Sequence, residues 1–67
     1  MRKPKLLGKI KENGLTLGEA AQVGGMSLSA FRRKLDGDSE FTRNEINALC
    51  DGLHLSNEEL LAIFFAD

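Results

Sequence analysis

Three short segments of this chain share one pattern: a hydroxyl residue followed three positions later by glutamate. They are Thr16-x-x-Glu19, Thr42-x-x-Glu45 and Ser56-x-x-Glu59. At a helix start, such a hydroxyl accepts the backbone N–H three residues on, and the glutamate reaches back to the N–H of the capping residue. Each pair is followed by apolar residues at helical spacing, so each marks where a helix begins. Ser27 supplies a fourth N-cap hydroxyl without the glutamate. Strand signals are weak by contrast, because β-branched residues are sparse and apolar–polar alternation does not persist.

The pattern predicts an all-α fold of five short helices, near residues 5–12, 17–23, 28–35, 43–53 and 57–65. Leu6, Leu7 and Ile10 make the apolar face of the first helix, which Asn13-Gly14 should stop. Ile46, Leu49, Cys50 and Leu53 follow an i, i+3, i+4, i+7 spacing in the fourth. Linkers this short force tight packing. Two glycines fit poorly. Gly52 falls inside the fourth helix, where glycine costs about 1 kcal/mol relative to alanine. Gly24-Gly25 ends the second, where one left-handed residue would be enough.

Sixty-seven residues make one domain with a small core. One cysteine excludes an internal disulfide, and with one histidine it leaves too few ligands for a structural zinc. Cys50 and His54 stand at i, i+4 but offer only two ligands, so neither a metal nor another cofactor is expected. An enzyme is not expected either: Cys50 has no neighbour that would lower its pKa, and no carboxylates pair in a recognisable pocket context. His54, just past the fourth helix, reads as a C-cap, since histidine is enriched at positive φ. The basic start, residues 1–14, lacks the apolar run of a signal peptide, and the apolar run from Leu60 to Ala66 cannot span a bilayer. The expected location is the cytoplasm.

The net charge of −1 conceals a division. Residues 1–37 carry eight Lys/Arg against three acids, a balance of +5; residues 38–67 carry one against seven, a balance of −6. Such asymmetry suggests one face for an anionic partner and another turned away from it.

The positive part contains residues 16–37, TLGEAAQVGGMSLSAFRRKLDG. It reads as a capped helix, a glycine turn and a second capped helix. Ala21 is small where the helices cross, Gly25 suits the positive φ of the turn, and Phe31 locks the angle between them. The Thr16, Glu19, Ala20-Ala21, Gly25, Met26-Ser27, Phe31, Arg33-Lys34-Leu35 and Gly37 pattern resembles the phage repressor/Cro type of helix-turn-helix domain, the lambda-repressor-like family. The resemblance continues through Glu40-Phe41-Thr42, the fourth helix and Leu53-x-Leu55-Ser56, about nine tenths of the chain. Two positions depart from the family. Gly24 replaces a large apolar residue and leaves a gap for Val23 or Phe31 to fill. Leu17 replaces a frequent glutamine and cannot bond phosphate or a base edge.

The resemblance implies a transcriptional regulator that binds double-stranded DNA at a near-palindromic operator and excludes polymerase. It would act in a bacterial host cell, at the nucleoid. Residue by residue, it gives base readout to Leu28, Ser29, Arg32 and Arg33, and phosphate contact to Thr16, Ser27, Lys34, Thr42 and Arg43. Arginine suits this role independently, because its guanidinium bonds guanine O6 and N7 bidentately. The N-termini at residues 17, 28 and 43 add N–H groups that favour phosphate. Leu28 could equally pack in the core. Arg2, Lys3 and Lys5 could form a DNA-reaching arm or a frayed end.

The last helix carries two apolar stripes, one of Leu60, Ile63 and Phe64 and another of Leu61 and Phe65. The second reads as a homodimer interface, against the alternative of a widened monomer core. An antitoxin-like or adaptor-like protein-interaction module that has lost DNA binding is the alternative function, with the acidic half and last helix as its working surface.

Overall fold

Every predicted cap forms in the computed structural model, which describes residues 1–65. The Thr16 hydroxyl accepts the Glu19 N–H at 3.1 Å, and Glu19 Oε1 accepts the Thr16 N–H at 2.9 Å. The Thr42/Glu45 pair repeats this at 3.2 and 2.8 Å, and the Ser56/Glu59 pair at 3.1 and 2.9 Å. Ser27 caps alone, accepting from the Ala30 N–H at 3.1 Å. The helices that follow are α1 (Lys3–Glu12), α2 (Leu17–Val23), α3 (Leu28–Leu35), α4 (Arg43–Leu53) and α5 (Asn57–Phe64). No strand occurs among the described residues.

Two boundaries differ from expectation. α1 starts two residues early because Pro4 sits in the first turn, where its missing N–H costs nothing. α5 stops at Phe64, since Phe65 has left the helical region with φ −121°.

The first four helices end alike. A backbone N–H just beyond each helix bonds the carbonyl five residues earlier: Leu15 to Ile10, Met26 to Ala21, Asp38 to Arg33 and Leu55 to Cys50. The chain passes through a left-handed residue each time, Gly25 (φ 76°) after α2 and His54 (φ 57°) after α4 among them. His54 is the one non-glycine residue at positive φ among the described residues, which bears out its C-cap role.

Leu6 and Ile10 of α1, Ala20 and Ala21 of α2, Phe31 and Leu35 of α3, Leu49 and Leu53 of α4, and Ile63 of α5 form the core. Ile46 and Cys50, expected on the buried face of α4, are half-buried at its edge. A chain of edge-on rings runs from Phe31 to Phe41 (5.9 Å) and on to Phe64 (5.5 Å), joining α3, the α3–α4 loop and α5.

Both awkward glycines mark close approaches. A Cβ on Gly52 would collide with Val23 Cγ1, so α4 can pass α2 there only without a side chain. A Cβ on Gly24 would meet the Met26 methyl at 2.7 Å and Leu49 at 3.4 Å. The space expected for Val23 or Phe31 is thus filled by Met26 and Leu49. Gly24 itself stays in the right-handed helical region, leaving the left-handed turn to Gly25.

The N-terminal segment is tied down. The Arg2 N–H bonds the Ile63 carbonyl at 2.7 Å, and Lys3 Nζ pairs with Asp36 at 2.8 Å. Lys9 pairs with Glu59 and joins α1 to α5. Arg2, Lys3 and Lys5 are therefore not a frayed end: Lys3 and Lys5 lie in α1, and Lys5 is exposed on it. No helix of the described residues is long and apolar enough to cross a membrane.

Candidate nucleic-acid interface

α3 follows α2 after a turn of four residues and packs against it. Ala20 and Ala21 are fully enclosed at this crossing, where larger side chains would push the helices apart. α3 turns Phe31 and Leu35 into the core. At about 100° per residue, Ser29 and Arg33 then point directly outward, while Arg32 and Lys34 fall on opposite flanks. The surroundings agree. Arg32 borders a hollow shared with Lys3, Leu7, Leu17 and Asp36, on the α1 side, whereas Lys34 turns to α4 and pairs with Glu45.

The four residues assigned to base readout are thus not one stripe. Ser29 and Arg33 form its centre, Arg32 lies on the α1 flank, and Leu28 sits at the N-terminal end. Leu28 is exposed and outside the core, so core packing is not its role. It lines an open groove with Thr16, Gln22, Met26 and Ser27, which brings two of the assigned phosphate contacts beside one of the base contacts. Gln22 had escaped the sequence reading. Its amide can bond a base edge or a phosphate, and the signal was available: it follows buried Ala20 and Ala21 on a different face of a short helix.

Thr16, Ser27 and Thr42 all accept a backbone N–H with the side-chain oxygen. A hydroxyl so engaged still has its own proton to donate, so capping and phosphate bonding are compatible. Thr42 and Arg43 stand exposed at the start of α4, outside the groove that joins Thr16 to Leu28.

The cations divide by use. Lys3, Lys9 and Lys34 pair with Asp36, Glu59 and Glu45, while Arg32, Arg33 and Arg43 have no acidic partner among the described residues. Burial pushes the Glu45 carboxyl up, but hydrogen bonds from Lys34 and the Thr42 N–H outweigh it and hold the group below its ordinary value. Lys34, expected to contact phosphate, is thus ion-paired within the fold. Burial, with help from neighbouring Asp51, pushes the Cys50 thiol up, away from thiolate chemistry. Among the described residues no group of three or more His, Cys, Asp or Glu side chains could hold a metal ion.

Leu61 of α5 and Phe65 just beyond its end are 56 % and 63 % exposed, so the second stripe does not widen the core. No family model, curated protein or solved structure matches the chain.

Proposed function

We propose that this is a lambda-repressor-like domain that binds double-stranded DNA sequence-specifically and regulates transcription, α3 being its recognition helix. The observation that carries the reading is Arg33: outward-facing beside Ser29, without an acidic partner among the described residues, on the second of two helices joined by a left-handed glycine turn. Arg33 and Ser29 read base edges in the major groove, with Leu28 and Arg32 at the margins. Thr16, Ser27, Thr42 and Arg43 contact phosphates and fix the register.

One such helix covers only a half-site. A homodimer joined through Leu61 and Phe65 would place two in successive major grooves about 34–36 Å apart on a near-palindromic operator. The exposed stripe on α5 supports that arrangement.

The test is selection of bound sequences from a random duplex pool, followed by titration of the selected site at several salt concentrations. Two symmetric half-sites and steeply salt-dependent affinity are expected. Arg33→Ala should relax the preference at one position per half-site, at a cost of about 1–3 kcal/mol. Absence of DNA binding at low salt would overturn the reading. The exposed Leu61 and Phe65 would then favour a protein-interaction module with α5 as the working surface.

A further inference from the structure

A polar contact ties the end of α3 to α4, and it is well sheltered for a charged pair. The Lys34 and Glu45 side chains keep only 12 % and 18 % of their surface exposed. Lys34 Nζ donates to Glu45 Oε1, and the same oxygen accepts the Thr42 N–H at 2.8 Å. One carboxylate therefore caps α4 and anchors α3 together. Phe41, in the loop between the two helices, packs edge-on against Phe31 of α3, a second tie between this loop and α3. Reaching a phosphate would require Lys34 to abandon a charge-assisted bond in a place where water cannot fully replace it.

We propose that Lys34 is a positioning residue for DNA recognition: through Glu45 it sets the angle at which α3 presents Ser29 and Arg33, and it touches no phosphate. This rests on the DNA-binding reading above. The pair joins α3 to the first turn of α4, the helix whose start carries Thr42 and Arg43. It thereby couples base-reading residues to phosphate-contacting ones across the α3–α4 loop.

The experiment compares the wild type with Lys34→Met, Lys34→Arg and Arg43→Ala on the selected operator and on a random duplex, across a salt series. Arg43→Ala should reduce the salt slope by about 0.9, as loss of one phosphate contact does. Lys34→Met should leave the slope unchanged and lower the operator-to-random ratio about tenfold, the loss of roughly one base pair's discrimination. Lys34→Arg, which can still pair with Glu45, should restore the ratio. A slope reduced by about 0.9 in Lys34→Met would make Lys34 a phosphate contact and overturn the proposal; so would an unchanged ratio.

Thermal unfolding supplies a readout that needs no DNA. Glutamine is accepted in a capping box, so Glu45→Gln keeps the cap and removes only the charge. Lys34→Met, Glu45→Gln and the double variant should melt several degrees low, the double no lower than the weaker single. Fully additive losses would show that the pair does not act as one. Should Lys34→Met fail to fold, Lys34→Gln at low temperature takes its place. A wild type that binds no DNA at low salt removes the parent reading and this role together, whereas a changed slope in Lys34→Met removes this role alone.

Discussion

α3 and α5 are built alike and finished differently. Each has eight residues, each is capped by a serine hydroxyl, and each turns a narrow apolar stripe into the same core. Outside, α3 shows Ser29, Arg32 and Arg33, while α5 shows Glu58 and Leu61, with Phe65 just past its end. Caps and inner stripes are thus enough to place both helices, which leaves the outer faces free to differ. One face is suited to a polyanion and the other to an apolar surface. The charge division of the chain has a related lesson: part of it is consumed inside the fold, because Lys9 and Lys34 pair with glutamates of the acidic half. Among the described residues, the cations outside any ion pair include Arg32, Arg33 and Arg43 on α3 and α4 and Lys5 and Lys11 on α1.

The most drastic way to break this comparison is to remove the base on which both helices stand. Phe31 is fully buried, and its ring contact with Phe41 continues to Phe64 of α5. Phe31→Ala should cost about 3–5 kcal/mol, enough to unfold a domain this small. Circular dichroism should show both helices lost in one transition.

A narrower test separates the outer faces. Leu61→Ser with Phe65→Ser should change the stability of the isolated chain by less than about 0.5 kcal/mol, since both positions are exposed. Self-association should weaken by about 2 kcal/mol or more, if these side chains are its centre. Light scattering across a concentration range measures it, and a wild type that stays monomeric even on DNA would remove the dimer.

Acid sharpens the contrast between the two glutamates that hold lysines. Hydrogen bonds from Lys9 and the Ser56 N–H hold Glu59 below its ordinary value despite some burial, and Glu45 is held low as described above. A depressed carboxyl adds stability above its unfolded pKa of about 4.3, and that stability disappears as pH falls through the folded value. The gap between wild type and Glu45→Gln, measured by denaturant unfolding, should therefore be open at pH 7 and close on acidification. Glu59→Gln should show a smaller gap, because its side chain is 33 % exposed and better screened.

The smallest effect is at His54. A left-handed conformation costs a non-glycine residue about 1–2 kcal/mol, and glycine returns part of that as lost chain entropy. His54→Gly should raise stability by roughly 0.5–1 kcal/mol, read as a small increase in melting temperature.

Features legible in the sequence were those decided within a few residues. The three capping boxes, the Ser27 cap and the left-handed His54 all depend on bonds spanning three to five positions. Contacts between distant segments were not legible. Nothing near Lys34 reveals that Glu45, across a seven-residue loop, will take its ammonium group. Gly52 reads as a flaw until Val23 is found against it, and Gly24 as a gap until Met26 folds over it. The strap from Arg2 to Ile63 joins opposite ends of the described chain, beyond any periodicity argument. Within the candidate interface, the residue types were readable but their directions were only partly so. Helical geometry separates Arg33 from its flanking neighbours, yet only the packed structure shows which flank is closed by an acid.

The shared closure of the first four helices bears on how quickly this chain can find its shape. Four helices start on a hydroxyl bonded three residues ahead, and four end on a bond reaching back five residues. The limits of each segment are therefore set by residues within five positions of its ends. Helical chains dominated by such local contacts fold in microseconds to milliseconds, because little loop entropy is lost before the contacts form. Gly25 and His54 thus act as stop marks. Each confines its helix to a fixed length, so that collapse has few alternative helix boundaries to sort, although helices this short gain their stability only from packing together.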